Sequence, residues 1–173
     1  MLRTKSWLGT SVAVSALLVG MLVAGCGSDK KSNPVKPPEF ATPPASLNGV
    51  WVTEIDEGTL YTTIDNGNFE MKVDGALFSK GTCLTSEDNF KLQITHIHSD
   101  VVNAQLPMPI LTSKWYEKSE IKAALNNITP MSDADFEEIY GEMFKEQIGK
   151  YKLESVYLYV KRNGEGYQQF WRP

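Results

Sequence analysis

Asn68-Phe-Glu-Met-Lys-Val-Asp-Gly75 and Phe90-Lys-Leu-Gln-Ile-Thr95 decide the fold class of this chain. In the first, Phe69, Met71 and Val73 alternate with Glu70 and Lys72. In the second, Phe90, Leu92 and Ile94 alternate with Lys91, Gln93 and Thr95. A period of two belongs to a strand with one buried and one wet face. Turn residues separate such runs: Asp56-Glu57-Gly58, Asn66-Gly67, Asp74-Gly75 and Ser86 to Asn89. Short β-formers divided by Asn-Gly and Asp-Gly predict consecutive antiparallel hairpins. Strands are expected at 49–55, 58–65, 68–73, 76–85 and 90–98. A sixth is expected over Val101–Gln105, ended by Pro107 and Pro109.

The pattern then changes period. Tyr116, Ile121, Ala124 and Leu125 predict a helix within Lys114–Leu125. Ser132-Asp-Ala-Asp135 is a capping-box-like start for a second helix, and Phe136, Ile139, Tyr140, Met143, Phe144 and Ile148 follow at helical spacing, with Gly149 as its stop. An aromatic and Met stripe of this kind reads as core rather than as a cofactor pocket. Beyond it, Tyr151–Lys161 returns to alternation, Arg162 to Gly166 turns the chain, and Tyr167–Arg172 forms the last strand. The expected fold is mainly β: an antiparallel up-and-down β-barrel of about eight strands over residues 46–173, with two helices inserted before the last β-hairpin. Closure removes the unpaired edges that such a meander would otherwise carry.

The amino terminus has a different character. Arg3 and Lys5 precede an uncharged run from Trp7 to Ala24. A positive start, an apolar middle and small residues at the end make an export signal; the alternative is a retained transmembrane anchor, which Gly, Ser and Thr dilute. Val23-Ala24-Gly25-Cys26 resembles the lipobox of bacterial lipoproteins. That resemblance implies cleavage after residue 25, lipidation of Cys26 and a lipid-anchored, exported protein of the bacterial cell envelope. Gly27 rather than Asp follows the cysteine, which favours the outer membrane over the inner. Residues 26–45 hold five of the nine prolines and read as an extended tether. The expected organisation is therefore signal peptide 1–25, lipidated Cys and Pro-rich tether 26–45, and domain 46–173.

Charge and cysteine narrow the partners. The whole chain carries a formal −4, and the segment from Ser46 onward holds 12 basic against 19 acidic side chains. An acidic domain lacks the basic footprint that nucleic acid requires, so no nucleic-acid partner is expected. Of the two cysteines, Cys26 is assigned to lipid, which leaves Cys83 without a mate. Cys83 reads as a buried thiol, with a reactive nucleophile as the alternative.

Ser46-Leu-Asn-Gly49-Val-Trp51 opens the first strand, and its Gly-x-Trp is similar to the opening motif of lipocalins and other calycins. Lys80-Gly-Thr-Cys-Leu-Thr, Asn89 to His96 and Trp115 to Ile121 extend the likeness to the lipocalin-like lipoproteins of bacteria. The resemblance implies a lipocalin-like barrel whose Trp51 closes one end against an Arg from the last strand. Arg172 is the expected partner and Arg162 the second choice. A later Thr-Asp-Tyr lipocalin motif is absent.

Candidate chemistry is sparse. His96 and His98 are the only histidines; on a strand they share a face and are candidates for a metal pair, with Asp100 beyond them. The alternative is a strand end with hydrogen-bonded imidazoles, and no cofactor or metal is expected. There is no Gly-x-Ser-x-Gly, no nucleophile triad and no phosphate loop, so the chain is not expected to be an enzyme. Tyr61, Phe69, Phe78, Phe90, Tyr157, Tyr159, Tyr167, Phe170 and Trp171 all fall on predicted strands. An eight-stranded barrel holds one small ligand or fills itself with side chains. The first reading is a binding module for a small apolar or amphipathic ligand; the alternative is a structural lipoprotein that contacts an envelope protein.

Overall fold

The computed structural model describes residues 39–106, 108–128, 130–162 and 165–173. The expected signal peptide, Cys26 and most of the tether lie outside the described residues.

Among the described residues nine strands form: β1 Gly49–Ile55, β2 Gly58–Asp65, β3 Asn68–Val73, β4 Ala76–Ser86, β5 Asn89–His98, β6 Trp115–Glu117, β7 Gln147–Glu154, β8 Tyr157–Arg162 and β9 Gln168–Trp171. Eight of them close an antiparallel barrel in the cyclic order β1-β2-β3-β4-β5-β7-β8-β9, with β9 returning to β1 through Val52 and Trp171. β6 stands outside the ring and pairs with the end of β5. The three α-helices among the described residues, α1 Ser99–Asn103, α2 Lys118–Asn126 and α3 Asp133–Ile139, all lie between β5 and β7.

The alternation works as expected along β2 and β3, and on either side of one bulge each in β4 and β5. The turns at Asn66-Gly67 and Asp74-Gly75 have positive φ at both residues, the backbone of the two-residue hairpin turns that match strand twist. The barrel therefore has two ends. The lower end carries the β2–β3, β4–β5 and β7–β8 turns and both ends of the described chain. The upper end carries the β1–β2, β3–β4 and β8–β9 turns and α1.

One irregularity positions the helices. Between β4 and β5 the register jumps from Gly81↔Ile94 to Lys80↔His96, leaving Thr95 as an extra residue. Such a bulge bends the strand and changes which side chains face inward. Phe90 and Ile94 are buried before it and Ile97 after it. Ile97 joins Val102, Leu111, Tyr116, Ile121, Leu125, Phe136, Tyr140, Met143 and Phe144 in one core continuous with the barrel's Trp51, Ile64 and Phe69. Phe136, Tyr140, Met143 and Phe144 of the expected stripe are thus core, whereas Ile139 and Ile148 are exposed.

Four local expectations are corrected. Val101–Gln105 is not a strand. Asp100 N–H donates to the His98 side chain at the start of α1, and the helix buries Val102, so a local cap and packing override the β preference of Val-Val. The first helix starts only at Lys118, because Trp115–Glu117 pairs with β5, and Glu117 N–H donates to the Glu120 carboxylate at 2.9 Å. The second helix stops at Ile139. Gly141–Phe144 is a 3-10 turn, and Ile148 and Gly149 lie in β7. Gly149 is not a helix stop but a close approach: a Cβ there would meet the Phe90 ring at 2.5 Å and Lys161 O at 2.4 Å. Finally, Tyr151–Lys161 is two strands, divided at Ser155, whose φ is 54°. The helices therefore precede a three-stranded meander rather than a single hairpin.

Gly81 faces the bulge so closely that a Cβ would lie 1.9 Å from Gln93 O. Backbone, not a flexible side chain, blocks it. Gly81→Ala is expected to lower stability in urea unfolding by about 1–3 kcal/mol or more. Gly166→Ala, with nothing within 4 Å, is expected to stay within about 0.5 kcal/mol.

Candidate functional site

The inward side chains of the barrel sort by chemistry. Phe69, Phe78, Phe90 and Phe170 line an internal cavity, together with Trp51, Leu60, Ile64, Met71, Leu92, Leu158 and Val160. The tyrosines expected on strands divide differently. Tyr61 and Tyr157 are exposed, Tyr159 is half-buried, and Tyr167 lies in the loop before β9, 54% exposed. The interior is thus lined by phenyl rings and by one phenol, Tyr151, while these other four phenols meet water.

The cavity has a volume of about 140 Å³. A dry apolar cavity of about 150 Å³ accepts a benzene-sized guest. It is not isolated. A second hollow of about 240 Å³ lies at the upper end between the β1–β2 and β3–β4 turns, α1 and Met143. Ile55, Glu57, Val73 and Phe78 line both hollows, which therefore adjoin at the upper end, the candidate mouth.

Polar groups gather at that mouth. Leu158, Val160 and Arg162 lie on the inward face of β8, and Arg162 is the topmost. Burial lowers the Arg162 guanidinium below its ordinary value, while the Glu165 carboxylate opposes that shift. Glu57 and Gln168 complete the upper lining. Deeper down, Thr62 lines the cavity, and its hydroxyl is one of two buried side-chain oxygens without a hydrogen-bond partner among the described residues; the other is Ser79. Cys83 also lines the interior as a free thiol, and burial pushes its pKa up to about 11. A thiol held protonated in this way is a poor nucleophile.

The floor of the cavity is Trp51, fully buried, beside Leu47. Its indole N–H donates to Leu47 O at 2.8 Å. Arg172 lies across the ring, with its guanidinium carbon 4.5 Å from the ring centroid. The same guanidinium donates to Ser46 O and, at 3.2 Å, to Asn48 O. Gly49 lets the chain swing from the 3-10 turn Ala45–Leu47 into β1: its φ is +127°, while a Cβ there would meet nothing within 4 Å. The requirement for glycine is conformational. Gly49, Trp51 and Arg172 therefore meet at one end, whereas Arg162, the second choice as partner for Trp51, stands at the other.

The paired histidines each lie against a carboxylate. His96 Nε2 lies 3.6 Å from Glu117, and His98 Nδ1 lies 3.2 Å from Asp100 while its ring meets Trp115 edge-on at 5.2 Å. Each imidazole has its own carboxylate, and among the described residues no group of three or more His, Cys, Asp or Glu is placed to hold a metal ion. Cys26 lies outside the described residues.

Arg162 is the site residue that sequence reasoning misplaced. The sequence reading places it in the turn, whereas extending the alternation of Leu158 and Val160 by one step puts it inside. No protein-family model, curated protein or solved structure matches this chain.

Trp51→Ala removes a fully buried indole and is expected to cost about 3–5 kcal/mol. Arg172→Ala removes the exposed cation from its ring and is expected to cost about 0.5–1 kcal/mol. Both are read as shifts in the urea midpoint.

Proposed function

We propose that this chain is an exported, lipid-anchored envelope lipoprotein whose barrel binds a small amphipathic molecule, its apolar part in the Phe-lined cavity and its polar end at the mouth. The observation that carries the ligand reading is the cavity itself: apolar walls, a sealed floor at Trp51 and an upper opening where Glu57, Arg162 and Gln168 converge. Binding sites of this kind combine an apolar lining with a few placed polar groups. The interior hollow alone is smaller than usual for a ligand site; together with the mouth it suits a single alkyl chain or one small ring system with a polar substituent. Arg162 favours an anionic or hydrogen-bond-accepting head, because a partly desolvated guanidinium gains most from a charged partner. The anchor reading rests on the lipobox-like Val23-Ala24-Gly25-Cys26. Two acyl chains or more at Cys26 hold a protein stably on a bilayer.

Native mass spectrometry of the detergent-free protein checks the ligand. A discrete added mass that vanishes on denaturation is expected. Titration with a fatty acid and the fatty alcohol of equal chain length should then separate head from tail: Arg162→Met is expected to weaken the acid about tenfold and leave the alcohol unchanged. A clean mass with no titratable binding of either compound would sink the ligand reading and favour the structural alternative.

The anchor has its own check. Radioactive palmitate is expected to label the chain in a bacterial host, and Cys26→Ser is expected to abolish the label. Label persisting in the variant would refute lipidation at Cys26.

A further inference from the structure

The β7–β8 hairpin runs past the β4–β5 turn at the lower end of the barrel. The last backbone bond from β7 toward β5 is Tyr151 N–H to Asp88 O, at 2.7 Å. Lys152 to Tyr157 continue beyond it, about 10 Å of strand at 3.3 Å per residue before the turn. On the other flank, β9 follows the hairpin down: Trp171 pairs with Tyr157, and Arg172 N–H donates to Val156 O at 3.1 Å. The result is a three-stranded lip, free on its β5 side and, through Trp171, level with Val52 of β1 on the other.

The tip of this lip is exposed, with Val156 and Tyr157 beside Glu154 and Ser155. Val156 is 48% and Tyr157 41% exposed. The Tyr159 ring lies 6.4 Å from that of Tyr157, and Trp171 is half-buried beside them. Lys152 and Arg172 flank the group. The nearby carboxylates are matched by cations: Lys152 pairs with Glu154, and Lys150 lies 3.0 Å from Asp88. An aliphatic tip, tyrosine and tryptophan behind it, and long cations at the rim make the profile of a group seated at a bilayer interface, where aromatic rings sit at headgroup level and Lys and Arg stems extend to the wet side.

The chain's own path says what lies opposite. The amino-terminal segment joins the barrel at this same end, through two backbone bonds between Ala41 and Thr85. Arg172 ties the lip to that segment by its bonds to Ser46 and Asn48. Only 15 residue steps separate Cys26 from Ala41. At no more than about 3.6 Å per residue, they hold the barrel floor within roughly 54 Å of a lipid attached at Cys26.

We infer that the Val156–Tyr157 lip is a second membrane contact, which seats the floor of the barrel on the bilayer that holds the lipidated Cys26 and turns the cavity mouth away from it. This rests on the anchor reading given above. The contact can be weak, because the tether supplies a high effective concentration of bilayer. With the domain acidic overall, the contact is apolar rather than electrostatic, so a zwitterionic bilayer suffices and salt has little effect.

The test uses the full-length, processed protein in phosphatidylcholine vesicles. Val156→Cys carries an environment-sensitive fluorophore; Cys83 is buried and Cys26 is occupied by lipid. Met108→Cys, a site 69% exposed in the segment between α1 and β6, serves as the reference. Flotation with the vesicles reports the anchor, and fluorescence reports the lip. The Val156 label is expected to brighten severalfold on vesicles, to be quenched by lipids brominated near the headgroup, and to stay bright at high salt, while the Met108 label does not change. Co-flotation with a Val156 label as wet as the reference overturns the lip and leaves the anchor standing. A Val156 label that brightens with protein concentration in the absence of vesicles also overturns it, by making the lip a contact between copies. Failure to float overturns the anchor reading and this inference with it.

Discussion

Trp51 holds the two ends of the folded chain together. Its indole N–H is bound to Leu47, in the turn before β1, and its ring lies under Arg172, just past β9. A barrel whose first and last strands share only the Val52–Trp171 ladder pair is closed weakly by backbone alone. Arg172 reinforces that seam by reaching from the end of β9 to the carbonyls of Ser46 and Asn48. A planar cation with several fixed donors can stack on a ring and satisfy carbonyls at once, which a lysine cannot do. Gly49 is the conformational condition for the arrangement, because the chain must turn from Leu47 into β1 to bring its own carbonyl back to the indole.

Sealing the floor has a consequence for the interior. Eight strands leave little room, and the Phe-rich lining fills much of it, yet a hollow remains and adjoins the second one at the upper end. An unfilled apolar space costs stability through lost contacts. A chain that bends β5 with a bulge, places Gly81 opposite it and fills the far side with three helices has the means to close such a space, but here it leaves one beneath a rim of Glu57, Arg162 and Gln168. The uncompensated Thr62 hydroxyl in the same wall adds to the cost. Both penalties fall where a guest would relieve them.

The barrel was legible because alternation is a local signal repeated many times. Phe69, Met71 and Val73, or Phe90, Leu92 and Ile94, state their inward face without reference to any other part of the chain. What failed had no such local statement. The β7–β8 turn contains neither Gly nor Asn; Ser155 adopts positive φ because the pairing on either side demands it. Val101 and Val102 read as strand until the caging of Val102 by the core is known. Ile148 falls at helical spacing from Phe144, yet the following Gly149 is the one residue that admits Phe90 across β7, and that contact is invisible in one dimension. At the site, Gly49, Trp51 and Arg172 could be named because they fit a pattern, whereas Arg162 was read as turn because the strand was ended one residue early.

The two arginines, ten residues apart, divide the barrel between them. β9 is short, so Arg162 and Arg172 flank the β8–β9 connection and the last strand, one at each end of the cylinder. Arg172 is drawn into aromatic and carbonyl contacts that close the floor. Arg162 is held where burial works against its charge, at the rim of an apolar hollow. The same side chain thus serves closure at one end and polarity at the other. The lower end carries the chain's entrance and the exposed Val156–Tyr157 lip, whereas the upper end is where the described interior opens. If an anchor pulls on residue 41 from below, whatever occupies the cavity exchanges from above, so a ligand would leave toward the aqueous side rather than into the bilayer beneath the barrel.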